Sequence, residues 1–316
     1  MINRELIRLK VLQIAYAYYQ NDEKNVMSSE KELFFSMSKT HELYLKLLAL
    51  IVALHKDACR RLEIMKNSQA RVYQPISELE RFTGNLFAKQ LVENEQLCSF
   101  LENESNRWDI DTEFVIHLFN MITESEVYQK YVFYIKNEHD YSEDKEIWRK
   151  IYKLFIEQNE DLDAILEEKC LYWNDDKEIV DTFVLKTINR FNQENGASQP
   201  LIAGSIDDDD KEFAQILFRN AIKNEEEYKG YMIEVSKNWD LSRLAFMDTI
   251  IMQIAIAEMI NCPNVPLSVT IDMYVELAKL YSTDKSWMFV NGMLDQIARN
   301  LIERRKILKV MNNNNI

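Results

Sequence analysis

Leu6, Leu9, Ile14 and Tyr16 recur among Arg4, Arg8 and Lys10, a spacing that predicts an amphipathic helix over 1–20 with an apolar side and a basic side. A mostly polar break follows at 21–27. Ser28-Ser29-Glu30-Lys31-Glu32 then has the form of a helix start, a capping hydroxyl followed by early acids, and predicts a long helix to about Ser68. The centre of that helix, Leu47 to Leu54, is apolar and bounded by Lys46 and His55. It is far short of the ~20 residues needed to cross a bilayer, so it reads as the middle of a buried core helix. Beyond a turn at Pro75 come helical patterns near 82–104, 110–136 and 143–191, then a linker from Asn192 to Pro200 and on to Gly204-Ser205. Asp207 to Asp210 open the next helix, where carboxylates face the positive helix end.

Composition settles the class. Only 5 Gly and 4 Pro occur in 316 residues, too few for the tight turns of a β-rich protein, and the Leu/Ile/Glu/Lys-rich runs between them are helix formers. The fold is all-α. Net charge is −14, but it is unevenly spread. Residues 1–20 hold three basic groups against one acid and residues 206–316 hold 13 against 17, which leaves a net −12 on 21–205. A basic end face therefore survives the overall acidity. Cys59, Cys98, Cys170 and Cys262 stand singly, the pattern of reduced, buried thiols rather than a disulfide frame. With an N-terminus that lacks signal-peptide features, this gives a cytoplasmic expectation.

The residues of enzyme chemistry are missing. Of four histidines only His55 has a cysteine at helical spacing, Cys59, and no further ligand lies nearby. The five glycines are isolated, so there is no phosphate loop, and no Glu-x-x-His pair marks a di-iron bundle. The expectation is a binding protein without catalytic activity, cofactor or metal. Arg4 and Arg8, four apart, share a helix side from which they could neutralise successive phosphates. Tyr16, Tyr18 and Tyr19 either stack on unpaired bases or fill the core. Near the other end, Lys285 suits a phosphate and Trp287 a base.

The last third carries an ordered series of short motifs. Trp239-Asp240-Leu241-Ser242-Arg243-Leu244 precedes a helix from Asp248 that ends in Ala257-Glu258-Met259. After Pro263 and Pro266 come Val269-Thr270-Ile271-Asp272-Met273-Tyr274-Val275-Glu276-Leu277-Ala278-Lys279 and then Phe289-Val290-Asn291-Gly292-Met293-Leu294-Asp295-Gln296-Ile297-Ala298. With Arg8-x-Lys10-Val11-Leu12-Gln13-x-x-Tyr16 near the start, this series resembles the NusB family of transcription antitermination factors, over about residues 1–20 and 208–300.

The resemblance implies a NusB-like helical bundle that binds the boxA segment of nascent RNA together with NusE, a small-subunit ribosomal protein, within an antitermination complex on RNA polymerase. It implies RNA contacts from Arg4, Arg8, Lys10, Gln13, Lys285, Ser286, Trp287, Phe289 and Asn291, and partner contacts from Tyr16, Glu276 and Asp284. Several positions depart from the family pattern. Met288 replaces a Lys, Gln253 an Arg, Asp272-Met273 an Asn-Glu pair, and the N-terminal arginine cluster is thinned. Most of these changes strip basic or polar groups from the expected RNA-and-partner side. Arg299, Arg304, Arg305, Lys306 and Lys309 compensate, either at phosphates or at the end of their own helix.

The expected organisation is a NusB-like core from 1–20 with 208–306, an acidic helical insertion over 21–207 that completes the first subdomain and adds a helical layer or subdomain, and a flexible tail at 307–316. The competing reading is a NusB-like protein–protein interaction module with weakened RNA binding, whose acidic insertion docks a basic partner or mediates self-association.

Overall fold

Asparagine and aspartate side chains set where helices begin in this glycine-poor chain. Asn3 accepts from the backbone of Leu6, Asn85 from Ala88, Asn94 from Leu97, Asn159 from Leu162 and Asp207 from Asp210, each satisfying an amide that the first turn leaves without a partner. The computed structural model describes residues 3–67, 76–133, 139–236 and 245–307. Among them it is all-α, with no strand. The helices are α1 (Arg4–Gln20), α2 (Val26–Asn67), α3 (Ile76–Thr83), α4 (Leu86–Val92), α5 (Glu95–Leu101), α6 (Thr112–Glu124), α7 (Glu126–Phe133) and α8 (Tyr141–Ile151). After a π-helical turn at Tyr152–Ile156 come α9 (Glu160–Lys169), α10 (Lys177–Arg190), α11 (Asp208–Lys223), α12 (Glu225–Val235), α13 (Phe246–Asn261), α14 (Leu267–Tyr281) and α15 (Ser286–Glu303). The long α2 matches its expectation. The windows 82–104, 110–136 and 143–191 break into shorter helices, because Asn85, Asn94 and Asn159 cap new starts in the first and third, and the Ser125 hydroxyl accepts the Tyr128 amide at 3.2 Å at the break in the second. The Trp239–Leu244 motif and the tail beyond Ile307 lie outside the described residues.

The chain forms two compact units, one from Ser38–Gly204 and the other from the described residues of 2–37 and 205–316. In the first, the apolar stretch of α2 is buried as its sequence predicts, and Phe82, Phe87, Phe119, Tyr128, Trp148 and Tyr152 pack in the same core. Asp144 is its polar tie. One carboxylate oxygen accepts the Leu86 amide at 2.7 Å, and the other accepts the Tyr131 hydroxyl at 2.6 Å. Gly84 lies beside this tie, where a Cβ would come 2.3 Å from the His139 ring and displace it.

The 192–200 segment is not a slack linker. Gln193–Ser198 forms 3-10 turns whose carbonyls are claimed from outside. The Gln90 amide donates to the Asn192 and Gly196 carbonyls at 2.9 Å, and that of Asn94 donates to Gln199 at 2.7 Å. Gly196 holds φ +52, which an L side chain rarely adopts. No cysteine forms a disulfide, but only Cys262 is buried; Cys59 and Cys98 are exposed. Their helices are short or turn a polar edge outward at those positions, which single-residue spacing does not reveal.

In the second unit α13 is the axis. It packs against α1, α11, α12, α14 and α15, and from Ile250 to Met259 every side chain is buried. A helix buried on every side belongs at the centre of a bundle. The α1 helix packs on α11 and α13, as expected of a first helix that joins the C-terminal half.

At the far end α15 closes with a Schellman motif. The Lys306 amide donates to Leu301 O and the Arg305 amide to Ile302 O, both at 2.9 Å. The left-handed position of that motif, usually glycine, is Arg305 at φ +56. Its neighbours are tied across to α12, Arg304 to Glu234 and Lys306 to Glu227, rather than to the end of α15. Replacing the strained residue, Arg305→Gly, is expected to stabilise the protein by about 0.5–1 kcal/mol. Urea denaturation would register this as a higher midpoint at constant slope; an unchanged midpoint would mean that the exposed Arg305 side chain offsets its backbone strain.

Candidate nucleic-acid and partner interface

The basic side expected of α1 does not exist as a surface. Arg8 is 4% exposed, and its Nε and one terminal nitrogen each donate at 2.8 Å to the two oxygens of Glu258, a residue with no exposure. Thr270 Oγ1 at 2.8 Å and the Tyr274 hydroxyl at 3.1 Å donate to the same carboxylate. Burial weakens the Arg8 charge, but the Glu258 hydrogen bond and charge outweigh it and hold the guanidinium above its ordinary pKa. Burial and the Glu258 charge push the Tyr274 hydroxyl well above its usual value, so it stays a donor. Arg8 is therefore a structural residue, not a phosphate contact, because an RNA could reach it only by displacing Glu258. Lys10 is also fully buried and cannot meet a phosphate at the surface. Gln13 is half-buried.

Of the α1 basic groups only Arg4 keeps its side chain substantially exposed, at 44%. It lies over the Phe213 ring at 4.8 Å and 3.8 Å from Asp210, at the acidic start of α11. Burial and neighbouring Asp207 push the Asp210 carboxyl up, against the pull of Arg4. Any phosphate at Arg4 must share it with this acidic turn.

The second locality adjoins the first turns of α13 and α15. Lys285 and Asp284 are exposed ahead of α15, Trp287 is half-buried, and Asn291 is exposed one helical turn beyond it. Lys279 reaches over the Trp287 ring, 5.2 Å from its centroid, while pairing with Glu276 at 2.7 Å. Exposed Glu276 and Lys279 and half-buried Trp287 thus form one cluster across α14 and α15. Phe289 is half-buried. Gly292 has no internal reason to be glycine, since a Cβ built there meets nothing within 4 Å. Ser286 departs from its expected RNA role. It is 8% exposed and its hydroxyl donates to Asp248 at 2.8 Å inside the fold.

Tyr16 is exposed and its ring lies 5.7 Å from that of Phe246, the first residue of α13, itself exposed. Tyr19 flanks the same ring at 6.1 Å and bonds to Gln253, whereas Tyr18 is buried. Gln253 is a buried bridge that also donates to Ala221 O at 2.6 Å, so its lack of charge suits its place. Sequence reading missed Phe246 and Lys279. An aromatic at a helix start and a lysine eight residues before a tryptophan are weak signals until α13, α14 and α15 are seen to converge. Among the described residues no group of three or more His, Cys, Asp or Glu could hold a metal ion, and no helix is long and apolar enough to cross a membrane.

Removing one partner of the buried pair leaves an uncompensated charge. Glu258→Ala is expected to cost about 3–5 kcal/mol, and the combination Arg8→Met with Glu258→Leu to recover most of that loss. Urea titrations of the single and double variants decide it; losses that simply add would mean the two side chains are not coupled.

A model of the NusB family matches residues 182–299. The chain is 33% identical over 132 residues to the transcription antitermination protein NusB of Salinibacter ruber, a stretch that is 40% of this chain and 82% of that protein. To the protein of the same name from Geotalea daltonii it is 32% identical over 136 residues, 43% of this chain and 91% of the relative. The match to that of Heliobacterium modesticaldum is 39% identical over 93 residues but spans 29% of this chain and 45% of the relative. Among solved structures, T. maritima NusB is 28% identical, covering 39% of this chain and 78% of that one, with a TM-score of 0.30. With a third of its aligned residues identical along most of the length of such relatives, the chain belongs to the NusB family.

Proposed function

We propose that the protein is a non-enzymatic, cytoplasmic transcription antitermination factor that binds boxA-type RNA together with the small-subunit ribosomal protein NusE, as part of an antitermination complex on RNA polymerase. The observation that carries this reading, beside family membership, is exposed Lys279 over the half-buried Trp287 ring, with exposed Lys285 and Asn291 at the start of α15. An indole under a lysine offers one face for an unpaired base and one charge for its phosphate. Tyr16 with Phe246, and Glu276 with Asp284, supply the partner surface beside it. Arg4 is the contribution of α1. The NusB-like core in this proposal comprises 1–20 and 208–306, and 21–207 is an acidic insertion.

Titrating a boxA-type RNA oligonucleotide, with and without NusE, across a salt series tests this. Binding should tighten with NusE and weaken with salt. Trp287→Ala should lose about 1–3 kcal/mol of RNA affinity, and Lys285→Ala should reduce the salt slope by about 1. Absence of RNA binding at low salt even with NusE would overturn the reading.

A second reading has its own observation. A groove of about 760 Å³ in the Ser38–Gly204 unit is lined by Glu157, Glu160, Asp163, Glu167, Glu178 and Asp181 around Lys177, whose amine is already bonded to Asp181 and the Glu157 carbonyl. Such a surface suits a basic protein partner, and it lies just ahead of the family-matched residues. Loss of RNA binding with retained capture of a basic peptide would favour it.

A further inference from the structure

The start of α15 has no cap of its own. Its N-cap position is Lys285, with near-helical φ −112 and ψ −2 and no side-chain bond to the first turn. Proteins with an uncapped start normally fray there, since the first amides of a helix have no partners within it. Here three side chains tie the first residue of the helix to its neighbours. The Ser286 hydroxyl lies 2.8 Å from Asp248 Oδ2 and 2.7 Å from Thr283 Oγ1. A carboxylate can only accept, so Ser286 must donate its single proton to Asp248. Thr283 must then donate to Ser286, which fixes the direction of the whole relay from Thr283 through Ser286 to Asp248. The Ser286 amide closes the turn onto the Thr283 carbonyl at 2.8 Å.

Asp248 sits in the first turn of α13 and is 3% exposed. Its Oδ1 has no hydrogen-bond partner among the described residues, so burial of this carboxylate is not explained by satisfied bonding alone. Its placement has an electrostatic logic. A negative charge from α13 lies against the positive end of α15, where a capping aspartate of α15 itself would otherwise serve.

We infer that Asp248 is a positioning residue for ligand recognition by this protein, holding the first turn of α15 through Ser286 so that Lys285 and Trp287, on either side of that serine, present charge and indole together. The inference rests on the proposed RNA contact by Lys285 and Trp287. It predicts energetic coupling between a buried residue that touches no ligand and an exposed lysine. A uniform loss of stability would produce no such coupling.

The test is a double-mutant cycle on the full chain, with a boxA-type RNA oligonucleotide in the presence of NusE as the probe. Asp248→Ala should weaken binding about tenfold. Asp248→Asn, which keeps an oxygen acceptor for Ser286, should recover a substantial part of the loss. Lys285→Ala should then cost several-fold less in the Asp248→Ala background than in the native one. The indole N–H resonance of Trp287, identified by its absence in Trp287→Phe, should shift in Asp248→Ala and return toward its native position in Asp248→Asn. Full additivity with Lys285→Ala, or an unmoved Trp287 resonance, overturns the inference. If the native protein binds no RNA, the proposed function fails, and the Trp287 resonance still decides whether Asp248 sets this turn.

Discussion

A guanidinium and a carboxylate, shut away from water and separated by 250 residues of chain, hold the second unit together. Glu258 lies on the central helix α13, takes two bonds from Arg8 of α1, and takes one each from Thr270 and Tyr274 of α14. Arg8 and Arg4 both lie over the Phe213 ring of α11, at 5.3 and 4.8 Å. Four helices therefore meet at one ion pair. An isolated charge could not be buried at this depth, because its desolvation is repaid only when every strong acceptor or donor finds a partner. The geometry of the pair thus fixes how α1, α13 and α14 approach one another, and shifts of a few tenths of an ångström among them would be resisted.

That constraint redistributes chemistry over the surface. The arginine that would be the natural phosphate ligand on the first helix is committed to structure, and the remaining one sits beside an aspartate-rich helix start. The recognition surface we propose lies where α13, α14 and α15 converge, with Tyr16 of α1 joined to it by ring contact with Phe246. In the RNA contact we propose, Lys285 supplies the positive charge, because Lys279 is already paired with Glu276.

Much of this was legible in the sequence. Scarcity of glycine and proline identified the all-α class, the run at Leu47–Leu54 identified the core of α2, and the aspartates at 207–210 marked a helix start. The motif Ala257-Glu258-Met259 was recognised without its role, because nothing local distinguishes a glutamate that meets Arg8 from one that meets solvent. The burial of Arg8 and Lys10 is hidden for the same reason: the pattern of α1 shows which positions are apolar, but not that neighbouring helices enclose its polar side too. Nothing local marks Ser286 as buried, since its partner, Asp248, is 38 residues away. The short helices between 76 and 133 do not stand apart in the sequence because their separators, Asn85, Asn94, Asp111 and Ser125, cap as readily as they sit on a solvated face.

The pairing of Arg8 with Glu258 also sets a timetable. Synthesis delivers α1 long before α11 and α13, the helices on which it packs. At the usual pace of about 5–20 residues per second, 250 residues take roughly 12–50 s. The stretch Ser38–Gly204 is continuous and can gather its core on the way, whereas Leu6, Ile7, Leu9 and Val11, buried in the finished molecule, must wait unhoused at the opposite end of the nascent chain. The protein is therefore most open to aggregation or capture before residue 258 emerges, and a chain cut short ahead of it would leave its first helix without a place to go.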